Sequence, residues 1–124
     1  MYIQTIAQLS RRIYPNSELT DRVVRTRKFI DENFDKPIPL SKIASAVYCS
    51  KFHLSREFKR HYGITPLHYL TEKRITKAKE LLSEDSSVTA ACYDIGYESV
   101  STFSLLFRQW TGLSPSDFKK SKNE

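Results

Sequence analysis

The sequence predicts an all-α fold of about seven helices in which one helical plan occurs twice. Three observations carry that prediction. Apolar residues recur at helical spacing in two short segments a constant distance apart, and the same glycine and proline punctuation closes each copy. No segment alternates apolar and polar residues as a half-buried strand would.

In the first copy Leu40, Ile43, Ala44 and Val47 mark one face of a short helix, and Val88, Ala91, Cys92 and Ile95 repeat it 48 positions later. A turn and a second amphipathic segment follow each: Leu54, Phe58 and Tyr62, then Phe103, Phe107 and Trp110, with Leu54 to Phe103 and Phe58 to Phe107 both at an offset of 49. The extra residue belongs to the second turn, Gly96-Tyr97-Glu98, against the first around Tyr48-Cys49. Each copy closes alike, with Gly63-Ile64-Thr65-Pro66 matching Gly112-Leu113-Ser114-Pro115. Glycine past a helix end takes the left-handed conformation that stops it. Thr or Ser then caps the next helix, and Pro fills its first position, where no amide hydrogen is needed.

Between the copies a helix is expected from Thr65-Pro66 to about Leu82, with Leu70, Ile75, Ala78 and Leu82 on its apolar side and Glu84-Asp85-Ser86-Ser87 as the loop that ends it. Upstream, Leu19, Val23, Ile30 and Phe34 suit a helix stopped before Pro37, and Ile3, Ile6 and Ile13 suit a small one broken off at Pro15-Asn16. The expected divisions are an extension over 1–18, a first subdomain over 19–64, a connecting helix over 65–83 and a second subdomain over 84–124.

A chain of 124 residues suits one compact domain or two very small helical units. No apolar run reaches the ~20 residues of a membrane helix, and the order of charge and apolar residues from Met1 to Arg12 does not fit a signal peptide, so a cytoplasmic protein is expected. Cys49 and Cys92 lie far apart without a CxxC or a His cluster and read as buried thiols rather than zinc ligands. The net charge of +6 is unevenly placed: residues 51–79 carry 8 basic and 2 acidic groups, whereas 80–107 carry no basic and 5 acidic ones. A polyanion would therefore be held mainly by the first half.

A short helix, a tight turn and a second helix about twelve residues long form the helix-turn-helix plan, whose second helix enters the DNA major groove. The fold expected is thus two helix-turn-helix subdomains joined by a long connecting helix. An 18-residue connector spans ~27 Å at ~1.5 Å per residue, near the ~34 Å of one duplex turn that separates half-sites.

Ser50–Gly63 (SKFHLSREFKRHYG) and Gly96–Lys119, with GYES, TFS, FR and GLSPSDFK in order, carry a specific resemblance. Roughly from Asp21 to Lys120, the chain resembles the DNA-binding module of the AraC/XylS family of bacterial transcription regulators. The resemblance implies two units in adjacent major grooves of double-stranded promoter DNA, and RNA polymerase as a protein partner. Many relatives carry a separate effector-binding domain, and no segment here is long enough to be a sensor domain. The expectation is either a short stand-alone member or the C-terminal part of a longer regulator.

On the first reading helix the family's base-reading positions fall on Phe52, Ser55 and Arg56. Arg56 can bond guanine O6 and N7 together; the competing reading pairs it with Glu57 or Glu72. Phe52 would press on thymine methyls or sugars, or else serve as a core aromatic. Lys51, Lys59 and Arg60 suit phosphates. On the second helix the matching positions are Val100, Ser101, Ser104 and Leu105, with Leu105 where relatives often place a polar or basic side chain. Ser99, Thr102 and Arg108 would touch phosphates, and the first unit would dominate.

An enzyme would need converging acids, bases or nucleophiles. His53, His61 and His68 have no Cys or acid at ligand spacing, and no glycine-rich phosphate loop is present, so no catalytic residue, metal or cofactor is expected. The remaining rival is a helical protein-interaction module using Lys73, Arg74, Lys77 and Lys79 toward an acidic partner.

Overall fold

The structure, a computed structural model, describes residues 17–37, 40–46 and 50–123. The helix expected over Ile3 to Ile13 and the turn around Tyr48-Cys49 lie outside the described residues. Seven α-helices are described and no strand: α1 (Ser17–Asn33), α2 (Leu40–Ala46), α3 (Lys51–Tyr62), α4 (Pro66–Ser83), α5 (Val88–Asp94), α6 (Val100–Thr111) and α7 (Pro115–Asn123).

Local chemistry sets most boundaries. The Ser50, Ser87 and Ser99 side chains accept the amides of His53, Ala90 and Thr102 and so start α3, α5 and α6. Thr65 and Ser114 do the same for α4 and α7, accepting from His68 and Asp117 at 3.1 Å each. Gly63 (φ 82°) and Gly112 (φ 85°) end α3 and α6 in the left-handed conformation, their amides returning to the carbonyls of Lys59 and Arg108. Between α4 and α5, Asp85 adopts φ 77°, a conformation that Asp tolerates better than most residues.

The chain forms two compact units. One takes the chain through Glu32 and again from Pro39 to Tyr69; the other takes Asn33–Ile38 and Leu70–Glu124. The connecting helix α4 is thus divided between them, its first four residues in the first unit and the rest in the second. In the first unit Val23, Ile30, Ile43, Ala44, Leu54 and Phe58 are buried. Thr26 joins them because its hydroxyl donates to the carbonyl of Arg22, one turn earlier. Phe58 packs against the rings of Tyr62 and Tyr69, 4.8 and 5.8 Å away.

The second unit gathers Ile75, Ala78, Leu82, Ala91, Cys92, Ile95, Phe103, Phe107 and Phe118 into one core. Ala91 and Cys92 are both fully buried, and burial pushes the Cys92 thiol up from its ordinary pKa. Trp110 departs from the apolar line expected through Phe103 and Phe107, because it keeps 38% of its surface exposed. Phe118 of α7 meets Phe107 edge-on at 5.4 Å, leaving Trp110 in the last turn of α6 at the rim.

Candidate nucleic-acid interface

In the first unit, Leu54 and Phe58 fix how α3 sits, and the 3.6-residue period turns the opposite side of the helix outward. Lys51, Phe52, Arg56, Lys59 and Arg60 are exposed on α3, and Ser55 is half-buried. Phe52 shows 72% of its surface, which removes the core alternative, and the Lys51 ammonium stands 5.2 Å from its ring centre. Among the described residues Arg56 has no ion-pair partner. Glu57 lies instead 3.6 Å from Arg60, one turn on, a contact between a half-buried carboxylate and an exposed guanidinium.

Two contacts tie α1 to α4 and to the end of α3. The Tyr69 hydroxyl, at the start of α4, donates to Asp31 on α1. The Arg27 guanidinium stands 5.4 Å from the ring of Tyr62. Burial, then the bond to Asp31, pushes the Tyr69 phenol far above its ordinary pKa, so it remains a donor across the working range.

The second unit presents α6 by the same means, with Phe103 and Phe107 inward. Ser101, Thr102, Leu105 and Arg108 are exposed, Ser104 is half-buried, and Leu105 shows 60% of its surface. Val100 packs partly against the second core, so less of it faces outward. Ser99 is exposed, and its oxygen already accepts the Thr102 amide at 3.3 Å, leaving its hydroxyl hydrogen as the group that can still donate. The two outward faces differ in chemistry: three cations and an aromatic ring flank Arg56 on α3, while α6 offers hydroxyls, Leu105 and the one cation Arg108.

Arg74 does not behave as the surface base grouped with Lys73, Lys77 and Lys79. It is 9% exposed. Its Nε donates to the Phe34 carbonyl at 2.7 Å and an Nη to the Lys36 carbonyl at 2.6 Å, and its plane lies 4.9 Å from the Tyr97 ring centre. Burial raises the Tyr97 phenol pKa against the pull of that cation. The sequence carried a signal for this, because Arg74 stands on the i, i+4 line from Leu70 through Ala78 to Leu82, all of them buried. Gly96 belongs to the same arrangement: at φ 94°, a Cβ on it would stand 3.0 Å from Arg74 Nη2 and from the carbonyl carbons of Asp35 and Lys36.

Among the described residues, no three or more His, Cys, Asp or Glu side chains are grouped to hold a metal ion. No described helix is long and apolar enough to cross a membrane.

Each unit therefore holds a short helix followed by a capped twelve-residue helix with an exposed outward face, the arrangement of the helix-turn-helix class of domain. A helix-turn-helix domain family matches residues 43–121, spanning both copies. The chain belongs to the AraC/XylS family of transcription regulators and corresponds to their DNA-binding module. The HTH-type transcriptional activator RhaS of Salmonella schwarzengrund is 33% identical over 96 residues, which cover 77% of this chain and 34% of that protein. The C-terminal domain of AraT, a response regulator from Geobacillus stearothermophilus, superposes with a TM-score of 0.76 at 30% identity, over 81% of this chain and 84% of that one. The DNA-binding domain of AdpA, solved in complex with a target DNA, shares the fold at a TM-score of 0.73 and 24% identity, over 80% of this chain and 90% of that one. The chain spans about a third to a half of the length of the curated relatives it matches.

Proposed function

We propose that this chain is a sequence-specific, double-stranded DNA-binding transcription regulator that inserts α3 and α6 into adjacent major-groove segments of promoter DNA, with α3 dominant. In this reading 19–64 and 84–124 are the two reading subdomains, 65–83 connects them and 1–18 is an extension. The observation that carries it is the outward face of α3, where Arg56 stands exposed without an ion-pair partner among the described residues and is flanked by Lys51, Lys59 and Arg60. A guanidinium held that way can meet both acceptors of guanine, while its neighbours reach phosphates.

Phe52 and Ser55 read bases beside Arg56. On the second helix Val100, Ser101, Ser104 and Leu105 take the base edges, and Ser99, Thr102 and Arg108 take the backbone. RNA polymerase is a further partner, a cytoplasmic location goes with the role, and no catalytic part is assigned to the chain. The AdpA complex with DNA supports the same use of the shared fold.

Salt titration on random duplex DNA tests the proposal. With about 5 to 8 phosphate contacts, the log-log slope of affinity against salt should be near about −5 to −7. A flat response would favour the protein-interaction module instead. That rival has lost Arg74 to the interior, and Lys77 lies 3.3 Å from Glu80.

A further inference from the structure

The geometry points to Leu105 as a reader of the pyrimidine 5-methyl group, so that the second half-site is recognised by a thymine at one defined step rather than by hydrogen-bond pattern. This rests on α6 being a groove-reading helix, as proposed above, and names what that helix reads.

A single exposed leucine on a protein surface needs no explanation. What gives Leu105 a direction is the composition of the face around it. A reading helix meets base edges with its N-terminal turns, and from Val100 to Phe107 α6 carries no Arg, Lys, Asn, Gln, Asp or Glu. Every side chain able to form the bidentate or one-sided bonds that tell bases apart is thus missing from those turns.

Ser101, Thr102 and Ser104 remain as polar groups there. A hydroxyl both donates and accepts, so it satisfies a guanine, adenine, thymine or cytosine edge with little preference. Val100 is partly spent on the core, and Arg108 stands in the last turn. Leu105 is the large apolar group left outward, at 60% exposure. In the major groove one base carries an apolar feature, thymine through its C5-methyl, and covering that methyl is the one contact on this face whose gain depends on which base is present.

The test uses the whole chain and a duplex selected by it from a random pool. Each thymine of the second half-site is replaced in turn by deoxyuridine, which deletes the methyl and keeps every hydrogen-bonding group. For the wild-type chain, one replacement should weaken binding about fourfold, the worth of one buried methyl, and the others little. Leu105→Ala should bind the thymine duplex more weakly and lose that sensitivity to deoxyuridine. Leu105→Gln should shift the preferred base at that step toward adenine. The proposal is overturned if the second half-site tolerates every deoxyuridine, if it selects no thymine, or if the loss persists undiminished in Leu105→Ala. Failure to enrich any duplex would instead remove the DNA-binding reading on which the proposal stands.

Discussion

Arg74 donates a hydrogen bond to the main-chain carbonyl of Lys36 at 2.6 Å, across 38 positions of sequence. With its second bond, to Phe34, it ties the segment after α1 into the second unit, to which Asn33–Ile38 belongs. Arg74→Ala deletes two charge-assisted bonds and the packing on Tyr97, and should cost roughly 2–4 kcal/mol in urea unfolding. Arg74→Lys should recover little of it, since an ammonium cannot reproduce the two-pronged geometry. A loss under about 0.5 kcal/mol, the range of an ordinary surface substitution, would contradict this role.

The three glycines separate two effects. Gly63 and Gly112 have positive φ and open space around a notional Cβ, so alanine there should cost about 1–2 kcal/mol, the strain of the left-handed conformation alone. Gly96→Ala adds close contacts with backbone carbons of Asp35 and Lys36 and should cost at least about 1 kcal/mol more. Equal unfolding midpoints for the three variants would show that the close approach is absent.

Ser99 has a capping duty seen in the structure and a proposed contact with phosphate, and one substitution splits them. Aspartate caps a helix as well as serine and suits the positive end of its dipole, yet repels phosphate. Ser99→Asp should leave the unfolding midpoint equal or slightly higher while lowering DNA affinity at low salt. A fall in stability with unchanged affinity would place the residue away from the backbone.

Arg56 and Lys59 sit one turn apart on the same exposed face and are assigned different work. Arg56→Ala should cost about 1–3 kcal/mol on the cognate site and far less on random DNA. Lys59→Ala should weaken both alike and reduce the salt slope by about one. Equal losses on the two DNAs for Arg56→Ala would make it another phosphate contact.

Helix boundaries were legible in the sequence because their causes lie within a few residues. Ser114 with Asp117, and Gly112 with Arg108, are contacts of three and four positions. Burial of Leu54, Phe58, Phe103 and Phe107 followed from helical spacing for the same reason. Contacts made by distant chain were not legible. Nothing near Gly96 announces that Asp35 will approach it, and the basic run from Lys73 to Lys79 hides one side chain that turns inward to carbonyls about forty residues away. Trp110 shows the reverse error: its spacing suits the core, but Phe118 packs against Phe107 and Trp110 stays at the rim. Of the candidate site, exposure could be anticipated from the helical period, and with it the contrast between the cationic face of α3 and the nearly neutral face of α6.

A single-base scan of a selected duplex decides whether one chain reads DNA with two unequal helices. Two blocks of sensitive positions about one helical turn apart are expected, with changes in the block read by α3 costing several times more than those in the block read by α6. A single block, or two blocks with equal penalties, would contradict that reading.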